Sequence, residues 1–480
     1  MIRTKLIATV GPACDNDAVL GQMIDAGVNV FRLNFSHGTL DAHAASLGRI
    51  RRLAIHRGAM IAVLGDLCGP KIRLGKIAAG KCELVVGQEV TFQRAEIEGT
   101  PQRLWSGYAS LIDDVQEGHR VLIDDGNVRL RAIGKQKDEL VCRCEVGGMI
   151  SDRKGINLPD SKVSAPALTE KDRGDLDWAV AHDLDWVALS FVRQPEDLRQ
   201  LRAILKQRRS GLRIMAKLEK PEALEHVDEI IALSDGVMVA RGDLGVEMDL
   251  ARVPVIQKEI ALHGQHDGKP VVIATQMLQS MVASPVPTRA EVSDVANAIL
   301  DRGDAVMLSA ETSVGQFPVE AVRMMGRIAE QTESFGQRRG QELGINLTTS
   351  LPVATAIVRG TAVVAREMKP PLVALWTPSG ETATLLSKHR LEAPIVALSP
   401  DERVCRQMAL LYGVIPIHMD LCQGFRAMLS QLDEVLLQRG LAAKRDRIVV
   451  VADTRPDVAD EIDAVFIHLV CSTAPEARTA

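Results

Sequence analysis

The sequence lacks any apolar stretch long enough to cross a membrane. No run of about 18 apolar residues occurs in it. The N-terminal segment MIRTKLIATVGP contains an apolar stretch that is shorter than the hydrophobic region of a signal peptide. We therefore expect a cytoplasmic protein with no membrane partner.

The cysteines do not follow the pattern of a disulfide framework. Eight of them are scattered irregularly through 480 residues, which is typical of buried thiols in a reducing compartment. Cys142 and Cys144 would share one face of a strand, but no further Cys or His lies close by in sequence to complete a tetrahedral zinc site. We expect no structural zinc here.

Charge of one sign is not in large excess. The formal net charge of −5 and the isoelectric point near 6.2 give no general attraction to nucleic acid or to an anionic membrane. Apolar residues make up 46% and charged residues 25% of the chain, the usual balance of a globular protein. The expected partners are small molecules, and nucleic acid is not among them.

Two common nucleotide-binding motifs are absent as well. The segment GPKIRLGK has the wrong spacing for a Walker A loop and lacks its Ser or Thr, and no GxGxxG opens a helix. Any nucleotide must therefore be bound in another geometry.

What the sequence does contain is a recurring block of a β-branched apolar run, a polar turn and an amphipathic helix. This alternation predicts a parallel sheet. Eight such strands close a (βα)8 barrel, whose active site lies at the carboxyl ends of the strands. The runs are KLIATVG (5–11), NVFRLNFSH (29–37), MIAVLGDLCG (60–69), DWVALSFV (185–192), RIMAKLEKP (213–221), GVMVARGDLG (236–245), PVVIATQM (270–277) and AVMLSAET (305–312).

Helices are predicted between these runs. Thr169 and Asp172 resemble a capping box and place the start of the third barrel helix. The predicted helices span residues 16–26, 40–56, 170–182, 195–207, 221–233, 289–300 and 318–331.

The rest of the chain predicts two further domains. Residues 70–166 are too many for a barrel loop, and their short β runs separated by Gly, Asp and Asn turns predict a small antiparallel β domain that overhangs the active site as a lid. After the barrel, the helix 351–368 and the runs PLVALW, PIVALS, VIPIHM, RIVVVAD and AVFIHLV predict an α/β domain. The predicted domains are thus a TIM barrel of residues 1–69 and 167–342, a β-barrel lid of residues 70–166, and a C-terminal α/β domain of residues 343–480.

Polar residues end several barrel runs and should converge. Lys217 and Glu219 alternate with apolar residues and so point to one side of their strand, toward the barrel interior. Glu219 and Asp243, which ends the next run after Gly242, could share one Mg²⁺ ion, since Mg²⁺ takes one or two carboxylates. The alternative interpretations are that Lys217 and Glu219 form a structural ion pair and that Asp243 is only a turn residue.

The second run adds an inward stripe of polar residues. Arg32, Asn34 and Ser36 are spaced i, i+2, i+4, and a guanidinium suits phosphate recognition. Asp66 in the third run and Thr275 in the seventh lie at the same mouth.

With these motifs in order, the sequence resembles the pyruvate kinase family over nearly its whole length. The segments that carry the resemblance are TKLIATVGPA, FRLNFSHG, GDLCGPKIR, IMAKLEKPEAL, VMVARGDLGVE, ATQMLQSM, PTRAEVSDVANA and MLSAETSVGQFP. The resemblance implies transfer of a phosphoryl group from phosphoenolpyruvate to ADP, giving pyruvate and ATP, by a homotetramer.

The resemblance also implies a role for each matching residue. Lys217 resembles the catalytic lysine, which stabilises charge on the transferring phosphoryl group and on the enolate oxygen. Glu219 and Asp243 resemble the ligands of the essential Mg²⁺ or Mn²⁺. The implied catalytic and substrate-binding residues are Arg32, Lys217, Gly242, Asp243 and Thr275, with Thr275 also a candidate proton donor. The implied nucleotide-binding residues are Asn34, Phe35, Ser36, His37, Arg73 and Lys154.

One departure concerns the monovalent cation. Family members that need K⁺ bind it with the equivalents of Asn34, Ser36, Asp66 and Leu67, and they carry Glu where this sequence has Lys71. A lysine ammonium can supply the charge in place of the ion. We therefore expect that K⁺ is not required.

The C-terminal domain contains a candidate effector site. TPSGET (377–382) precedes the helix ATLLSKHR, and a helix N-terminus flanked by Thr, Ser and Gly can bind an anion or simply be a capped loop. In the family this loop binds an allosteric phosphate, with Thr377, Ser379, Gly380 and Thr382 as the matching positions and Arg390 as an added contact. Because the segment VADTRPDVADEIDAVF looks short of the Gly-rich loop of fructose-bisphosphate-activated relatives, a sugar monophosphate or a nucleoside monophosphate is the expected effector.

Two other functions compete with this interpretation. A Mg²⁺-dependent aldolase or lyase acting on pyruvate also uses paired carboxylates, although Arg73 and Lys154 favour a nucleotide cosubstrate. A catalytically silent binding protein is disfavoured because the implied catalytic residues are all present.

Overall fold

The chain begins with alternating strands and helices. The structure is a computed structural model, in which residues 2–338, 352–420, 424–452 and 464–471 are described. Asn16 and Thr39 cap the first two helices by accepting hydrogen bonds from the backbone N–H groups of Val19 and Ala42. The first elements are β1 (Lys5–Thr9), α1 (Asp17–Asp25), β2 (Val28–Asn34), α2 (Leu40–His56) and β3 (Ala62–Asp66).

A β-rich unit follows β3. It contains β4 (Lys81–Leu84), β5 (Glu89–Gln93), β6 (Arg103–Trp105), α3 (Leu111–Asp114), β7 (Arg120–Ile123), β8 (Val128–Gln136), β9 (Glu139–Val146), β10 (Gly148–Ser151) and β11 (Ile156–Asn157). Six of the strands form a sheet in the order β11-β7-β8-β9-β5-β6, and β10 pairs with β4. Phe92, Leu130 and Cys142 belong to a core of its own, so this unit has a separate interior.

The Cys-x-Cys pair lies inside that core. Cys142 and Cys144 are both buried, and burial raises the pKa of the Cys142 thiol to about 12. Among the described residues, no group of three or more His, Cys, Asp or Glu side chains could hold a metal ion. The two thiols are therefore apolar core side chains.

The strand–helix alternation resumes after the β unit. Thr169 and Asp172 form a capping box, as predicted. The elements are α4 (Glu170–Ala181), β12 (Trp186–Leu189), α5 (Pro195–Gln207), β13 (Arg213–Leu218), α6 (Pro221–Glu225), α7 (Val227–Leu233), β14 (Gly236–Ala240), α8 (Arg241–Glu247), α9 (Val253–His266), β15 (Val271–Ala274), α10 (Arg289–Leu300), β16 (Ala305–Leu308), α11 (Ala310–Ser313) and α12 (Pro318–Arg338).

Eight parallel strands close into a barrel. Their order around it is β1-β16-β15-β14-β13-β12-β3-β2, which returns to β1. All eight predicted runs supply a strand, and the predicted fold class is confirmed. The strand residues of β1, β3, β12, β14, β15 and β16 are all buried, as expected where helices cover the outside of a parallel sheet.

The element bounds differ from the predictions in several places. The strands end before the predicted runs do, because their last residues form the active-site loops. Gly242 and Asp243, predicted in a strand, lie in the first turn of α8. The predicted helix 221–233 is interrupted at His226, and α12 continues past residue 331 to Arg338. No prediction covered α9, although Val253, Ile256 and Ile260 show the helical spacing of buried residues.

The C-terminal part is an α/β unit. It contains α13 (Pro352–Met368), β17 (Val373–Trp376), α14 (Glu381–Ser387), β18 (Ile395–Ser399), α15 (Glu402–Met408), β19 (Val414–His418), α16 (Phe425–Gln438), β20 (Arg447–Ala452) and β21 (Ala464–Leu469). The sheet order is β19-β18-β17-β20-β21, with β21 antiparallel to β20. The predicted boundary at residue 343, the first residue of the predicted helix 351–368, and residues 453–463 of the segment judged short of an effector loop lie outside the described residues.

Buried ion pairs join this unit to the amino end of the barrel. Asp185, which precedes β12 and is fully buried, accepts hydrogen bonds from Arg406 Nε at 2.7 Å and Arg51 Nη2 at 2.9 Å. Lys388 Nζ lies 2.6 Å from Asp304 Oδ2, and both side chains are buried. Breaking a buried pair leaves an unpaired charge, so these contacts hold the two units together.

In the described part of the chain, no helix combines the length and apolarity needed to cross a membrane.

Candidate active site

A lysine lies between two carboxylates at the carboxyl ends of the barrel strands. Lys217 is on β13, Asp66 ends β3, and β12 lies between these strands. Lys217 Nζ is 2.8 Å from Glu219 Oε1 and 3.3 Å from Asp66 Oδ1. Both carboxylates are about 1% exposed. The three residues therefore form a buried charged cluster at the barrel mouth.

Arg32 extends this cluster from β2. Its Nε donates to Asp66 Oδ2 at 2.7 Å, and its Nη1 donates to Thr9 Oγ1 at 3.1 Å. Within the described residues Nη2 has no hydrogen-bond partner, and the side chain is 11% exposed. Arg32 is thus held through Nε and Nη1, and Nη2 is left to bind a ligand.

The charges in the cluster set the ionisation of each member. Burial alone would raise the pKa of Asp66, but Lys217 and Arg32 hold it below its ordinary value. Burial alone would lower the pKa of Lys217, but Asp66 and Glu219 outweigh burial and raise it. Lys217 is therefore a charged ammonium at neutral pH.

Glu219 and Asp243 form a carboxylate pair beside Lys217. Burial raises the pKa of Glu219, and the negative charge of Asp243 adds to the increase, while Lys217 opposes it. Glu219 Oε2 also accepts a hydrogen bond from the backbone N–H of Phe191 at 2.8 Å, and Asp243 is half-buried. A divalent cation would relieve the repulsion between the carboxylates. Two carboxylates with room for water and substrate oxygens fit Mg²⁺.

Thr275 lies against the start of α8. Its Oγ1 accepts a hydrogen bond from the backbone N–H of Gly242 at 2.7 Å and donates to Ala274 O at 2.6 Å. Thr275 has φ of 69° and Gln276 has φ of 54°, a left-handed conformation that non-glycine residues rarely adopt. Arg241 Nη2 donates to Thr275 O at 2.9 Å and so supports this strained turn.

The predicted nucleotide contacts after β2 are not all available. Asn34 ends β2, and its Oδ1 accepts a hydrogen bond from the backbone N–H of Ser36, so Ser36 lies in a turn and not on the predicted strand. His37 is exposed, whereas the Phe35 side chain is buried and packs edge-on against His43 and Trp178. Phe35 N–H and C=O are bonded to Asp66 O and Lys171 Nζ. The structure therefore gives Phe35 a packing role.

The two predicted nucleotide contacts of the β unit, Arg73 and Lys154, lie side by side. Arg73 and Gly155 form a β-bridge, which brings Arg73 beside Lys154 in the fold. Arg73 Nη1 donates to Arg153 O, and Lys154 Nζ lies 2.7 Å from Asp124 Oδ1. The two predicted nucleotide contacts are thus adjacent, each with a partner in the β unit.

Lys71 lines a cleft between the β unit and the barrel. Its side chain is exposed, and the cleft is also lined by Asn157, Lys220 and Asp243. Leu67 is buried, and its backbone C=O accepts a hydrogen bond from Ser190 Oγ at 2.7 Å. Lys71 therefore faces the same opening as Asp243.

The candidate effector loop precedes α14. Thr377 is buried, and its Oγ1 accepts a hydrogen bond from Gly380 N–H at 2.9 Å, which closes the loop. Ser379 is exposed, its backbone C=O accepts from Arg213 Nη2 at 2.6 Å, and Thr382 is half-buried. Gly380 has φ of 80°, which glycine adopts without strain.

Arg390, the added contact predicted for that loop, bonds to other groups in this structure. It follows the opposite end of α14, where its guanidinium lies 3.4 Å from Asp304 Oδ1 and stacks 3.7 Å from the Tyr412 ring centre. The role of Arg390 in the effector site stays a prediction.

Sequence reasoning missed three polar groups at the mouth. Ser190 Oγ lies 2.8 Å from Lys217 Nζ and 3.3 Å from Asp66 Oδ1. Lys220 Nζ pairs with Glu247 Oε1 at 2.6 Å, and Asn157 Nδ2 of the β unit donates to the same carboxylate oxygen. Arg241 supports Thr275, as described above. Each of Ser190, Lys220 and Arg241 directly follows a barrel strand or closely trails it, a position that the barrel rule itself singles out.

Comparison with known proteins assigns the family. Residues 1–322 match the model "Pyruvate kinase, barrel domain", and residues 355–468 match "Pyruvate kinase, alpha/beta domain". The chain belongs to the pyruvate kinase family. Pyruvate kinase homology makes this protein a phosphotransferase, and the predicted family is confirmed.

Individual pyruvate kinases match over most of their length. The chain is 44% identical to pyruvate kinase of Agrobacterium vitis over 94% of both chains. It is 38% identical to that of Geobacillus stearothermophilus over 98% of this chain and 80% of the relative. The crystal structure of a pyruvate kinase from Cryptosporidium parvum superposes with a TM-score of 0.90 at 33% identity, covering 98% of this chain and 96% of that one.

Ser190 should act as a positioning residue for Lys217. We expect Ser190→Ala to lower kcat roughly ten- to a hundredfold, since a hydrogen bond to a charged group contributes about 1.5–3 kcal/mol. The measurement is kcat from steady-state kinetics. Ser190→Thr keeps the hydroxyl and should recover most of the wild-type kcat. The control is Ser46→Ala, because Ser46 is also buried but bonds only within α2. Equal turnover in Ser190→Ala and wild type would contradict the role.

Proposed function

We propose that the protein transfers the phosphoryl group of phosphoenolpyruvate to ADP, giving pyruvate and ATP, with one Mg²⁺ or Mn²⁺ ion held by Glu219 and Asp243. The observation that carries the proposal is the ammonium of Lys217 fixed between Asp66 and Glu219 at the barrel mouth. Phosphoryl transfer depends on fixed positive charge around the moving group more than on covalent chemistry by the protein. Family membership supports the same reaction.

The charged cluster orients the groups that would contact the phosphoryl group. Asp66 holds Arg32 and Lys217 from opposite sides, so both cations are positioned before substrate arrives. Arg32 Nη2 and Lys217 Nζ would donate to phosphoryl oxygens, and Lys217 would also stabilise the enolate oxygen that forms as the phosphoryl group leaves. When bound, the divalent cation supplies Lewis-acid charge at the phosphoryl and enolate oxygens.

Gly242 and Thr275 complete the proposed substrate pocket. A Cβ on residue 242 would lie 3.3 Å from Thr275 Oγ1, so glycine keeps this turn of α8 open beside the substrate. Thr275 is the proposed proton donor to the enolate. Its hydrogen is donated to Ala274 O, so the hydroxyl would rotate before the transfer.

ADP would bind under the β unit, the proposed lid of residues 70–166. Arg73 and Lys154 would contact its phosphates, and Asn34, Ser36 and His37 would contact it from the barrel side. Closure of such a lid excludes water from the reacting groups. The protein is proposed to work in the cytoplasm as a homotetramer.

The decisive test of the reaction is loss of the Lys217 ammonium. We expect Mg²⁺-dependent pyruvate formation from phosphoenolpyruvate and ADP by the wild type, and a fall in kcat of about 10²–10³-fold in Lys217→Met, the size typical of removing one preorganised charge. The control is Lys206→Met, since Lys206 is an exposed residue of α5. Circular dichroism checks that the variant is folded. An inactive wild type, or a folded Lys217→Met with normal kcat, would overturn the proposal.

Lys71 is proposed to replace the monovalent cation. Its exposed ammonium lines the cleft that also contains Asp243, which supports this assignment. We expect K⁺ to raise wild-type activity less than about tenfold, or roughly 1.4 kcal/mol of transition-state stabilisation. Lys71→Glu should become dependent on K⁺, whereas Lys76→Glu, an exposed control, should not. Strong K⁺ activation of the wild type would contradict the assignment.

The loop of Thr377, Ser379, Gly380 and Thr382 is proposed to bind the phosphate of a sugar monophosphate or nucleoside monophosphate activator. The exposed Ser379 and the left-handed Gly380 support an open phosphate loop. We expect Ser379→Asp to abolish activator-induced change in the half-saturating phosphoenolpyruvate concentration, because the added carboxylate repels phosphate. Glu381→Gln, which adds no negative charge, should keep the response. An intact response in Ser379→Asp would show that the activator binds elsewhere.

A further inference from the structure

A cavity of about 550 Å³ lies between the barrel and the C-terminal α/β unit. It is on the amino-terminal side of β17 and β18, since Pro371 and Pro394 line it just before those strands begin. The candidate effector loop follows the opposite end of β17. The volume of the cavity is within the range of small-molecule sites. Basic and polar residues in its lining are Arg3, Arg302, Arg366, Lys369, His389 and Arg390.

Positive charge exceeds negative charge in this lining. Five of its residues are Arg or Lys, and two carboxylates, Glu333 and Glu392, face them. Glu333 is already engaged, since its oxygens accept hydrogen bonds from the backbone N–H groups of Arg3 and Thr4. The cavity therefore attracts anions.

Several of these polar groups have no partner in the described part of the chain. The Arg302 guanidinium and the Lys369 ammonium make no hydrogen bond or ion pair there, and Arg390 Nε is buried without a partner. His389 is 6% exposed, and its buried Nε2 also has no partner among those residues. Buried polar groups are usually hydrogen-bonded, so His389 Nε2 and Arg390 Nε, the two buried atoms of this set, indicate a missing ligand. Arg302 is half-buried and Lys369 is exposed, so their cations are open to the same ligand.

Hydrogen bonds to backbone carbonyls at helix C-termini account for only some of these cations. Arg366 Nη2 donates to His389 O, and Arg390 Nη2 donates to Arg302 O, as cations at helix C-termini commonly do. Arg302 and Lys369 donate to no such carbonyl. Arg302, Lys369 and Arg390 have φ of 71°, 48° and 49° just after helices, where glycine is the favoured residue. Arg302, Lys369 and Arg390 are thus charged residues at three positions where glycine would adopt the backbone conformation with less strain.

The cations also disfavour one another's charge. Burial lowers the pKa of Arg302, and the nearby Arg390 and Arg366 lower it further. Burial, with Arg366 and Arg359, lowers the pKa of His389 to about 4. His389 is therefore a neutral imidazole near pH 7, which can donate one hydrogen bond to an anion.

We propose that this cavity binds a small phosphorylated metabolite, with its phosphate group between Arg302, Lys369 and His389. The unpartnered guanidinium, ammonium and imidazole supply donors to a tetrahedral dianion. The prolines and Tyr412 supply apolar walls for the rest of the metabolite. The site is separate from the loop of Thr377 to Thr382 and does not depend on it.

The cavity adjoins a connection between the two units. Arg390 contacts Asp304, and Asp304 Oδ2 also accepts hydrogen bonds from Lys388 Nζ and from Val271 N–H of β15. The backbone C=O of Asp304 accepts from Lys5 N–H of β1. A ligand that shifts Arg390 would thus act on the amino ends of barrel strands.

Selenate, a tetrahedral dianion visible by anomalous scattering, is the probe. Crystals of the full chain would be soaked in sodium selenate, for the wild type and for the double variant Arg302→Gln, Lys369→Gln, which keeps both side chains polar and removes two charges. We expect a selenium peak between Arg302, Lys369 and His389 in the wild type and none in the double variant. In solution, calorimetric titration with sodium phosphate should show one binding site fewer in the double variant.

Two outcomes would overturn the proposal. One is the absence of a selenium peak from the wild-type cavity. The other is a peak of equal height in the double variant, which would mark an adventitious ion only. If the double variant does not fold, Lys369→Gln alone serves, because Lys369 is exposed. It should weaken the peak, and an unchanged peak would count against the proposal.

Discussion

The buried carboxylate of Asp66 is the constraint on which the rest of the active site depends. It is 1% exposed and contacts Arg32 on one side and Lys217 on the other. Burying a single charge is strongly unfavourable, so Asp66 is stable only with both cations, and each cation is stable only with a carboxylate. Closure of eight parallel strands brings these side chains together from β2, β3 and β13. The barrel thus fixes the positive groups before any substrate binds, which is the preorganisation that phosphoryl transfer requires.

The same cluster supports the divalent cation proposed beside it. Burial raises the pKa of Glu219, Lys217 opposes this rise, and the negative charge of Asp243 adds to it, so a second cation beside the two carboxylates would stabilise them. The β unit contacts the barrel in this region, because Asn157 bonds to Glu247 and Lys71 lines the cleft beside Asp243. At the other end of the barrel, Asp185 and Asp304 tie the C-terminal unit to the strands through Arg406, Lys388 and Arg390. These ion pairs are the contacts through which a proposed C-terminal ligand would act on the strands.

Sequence alone predicted the barrel well because buried parallel strands leave a strong signal of β-branched runs. It also predicted the meeting of Lys217 with Glu219, which lie two residues apart near the end of one strand. It failed where an outcome depends on tertiary placement. The first turn of α8 takes Gly242 and Asp243 out of the predicted strand, and Ser190 became visible as a partner of Lys217 only when β12 was placed beside β13. The contacts of Arg390 with Asp304 and Tyr412 likewise could not be read from the sequence, because they join residues far apart in the chain.

Glu219 and Asp243 are proposed to form one divalent-cation site beside Lys217. Titration of the full chain with Mn²⁺, followed by electron paramagnetic resonance, tests it without any assay of turnover. The account predicts that Glu219→Gln and Asp243→Asn each weaken Mn²⁺ binding about tenfold or more, close to 1.4 kcal/mol, while the exposed control Asp41→Asn leaves it unchanged. Wild-type affinity in both site variants would contradict the account.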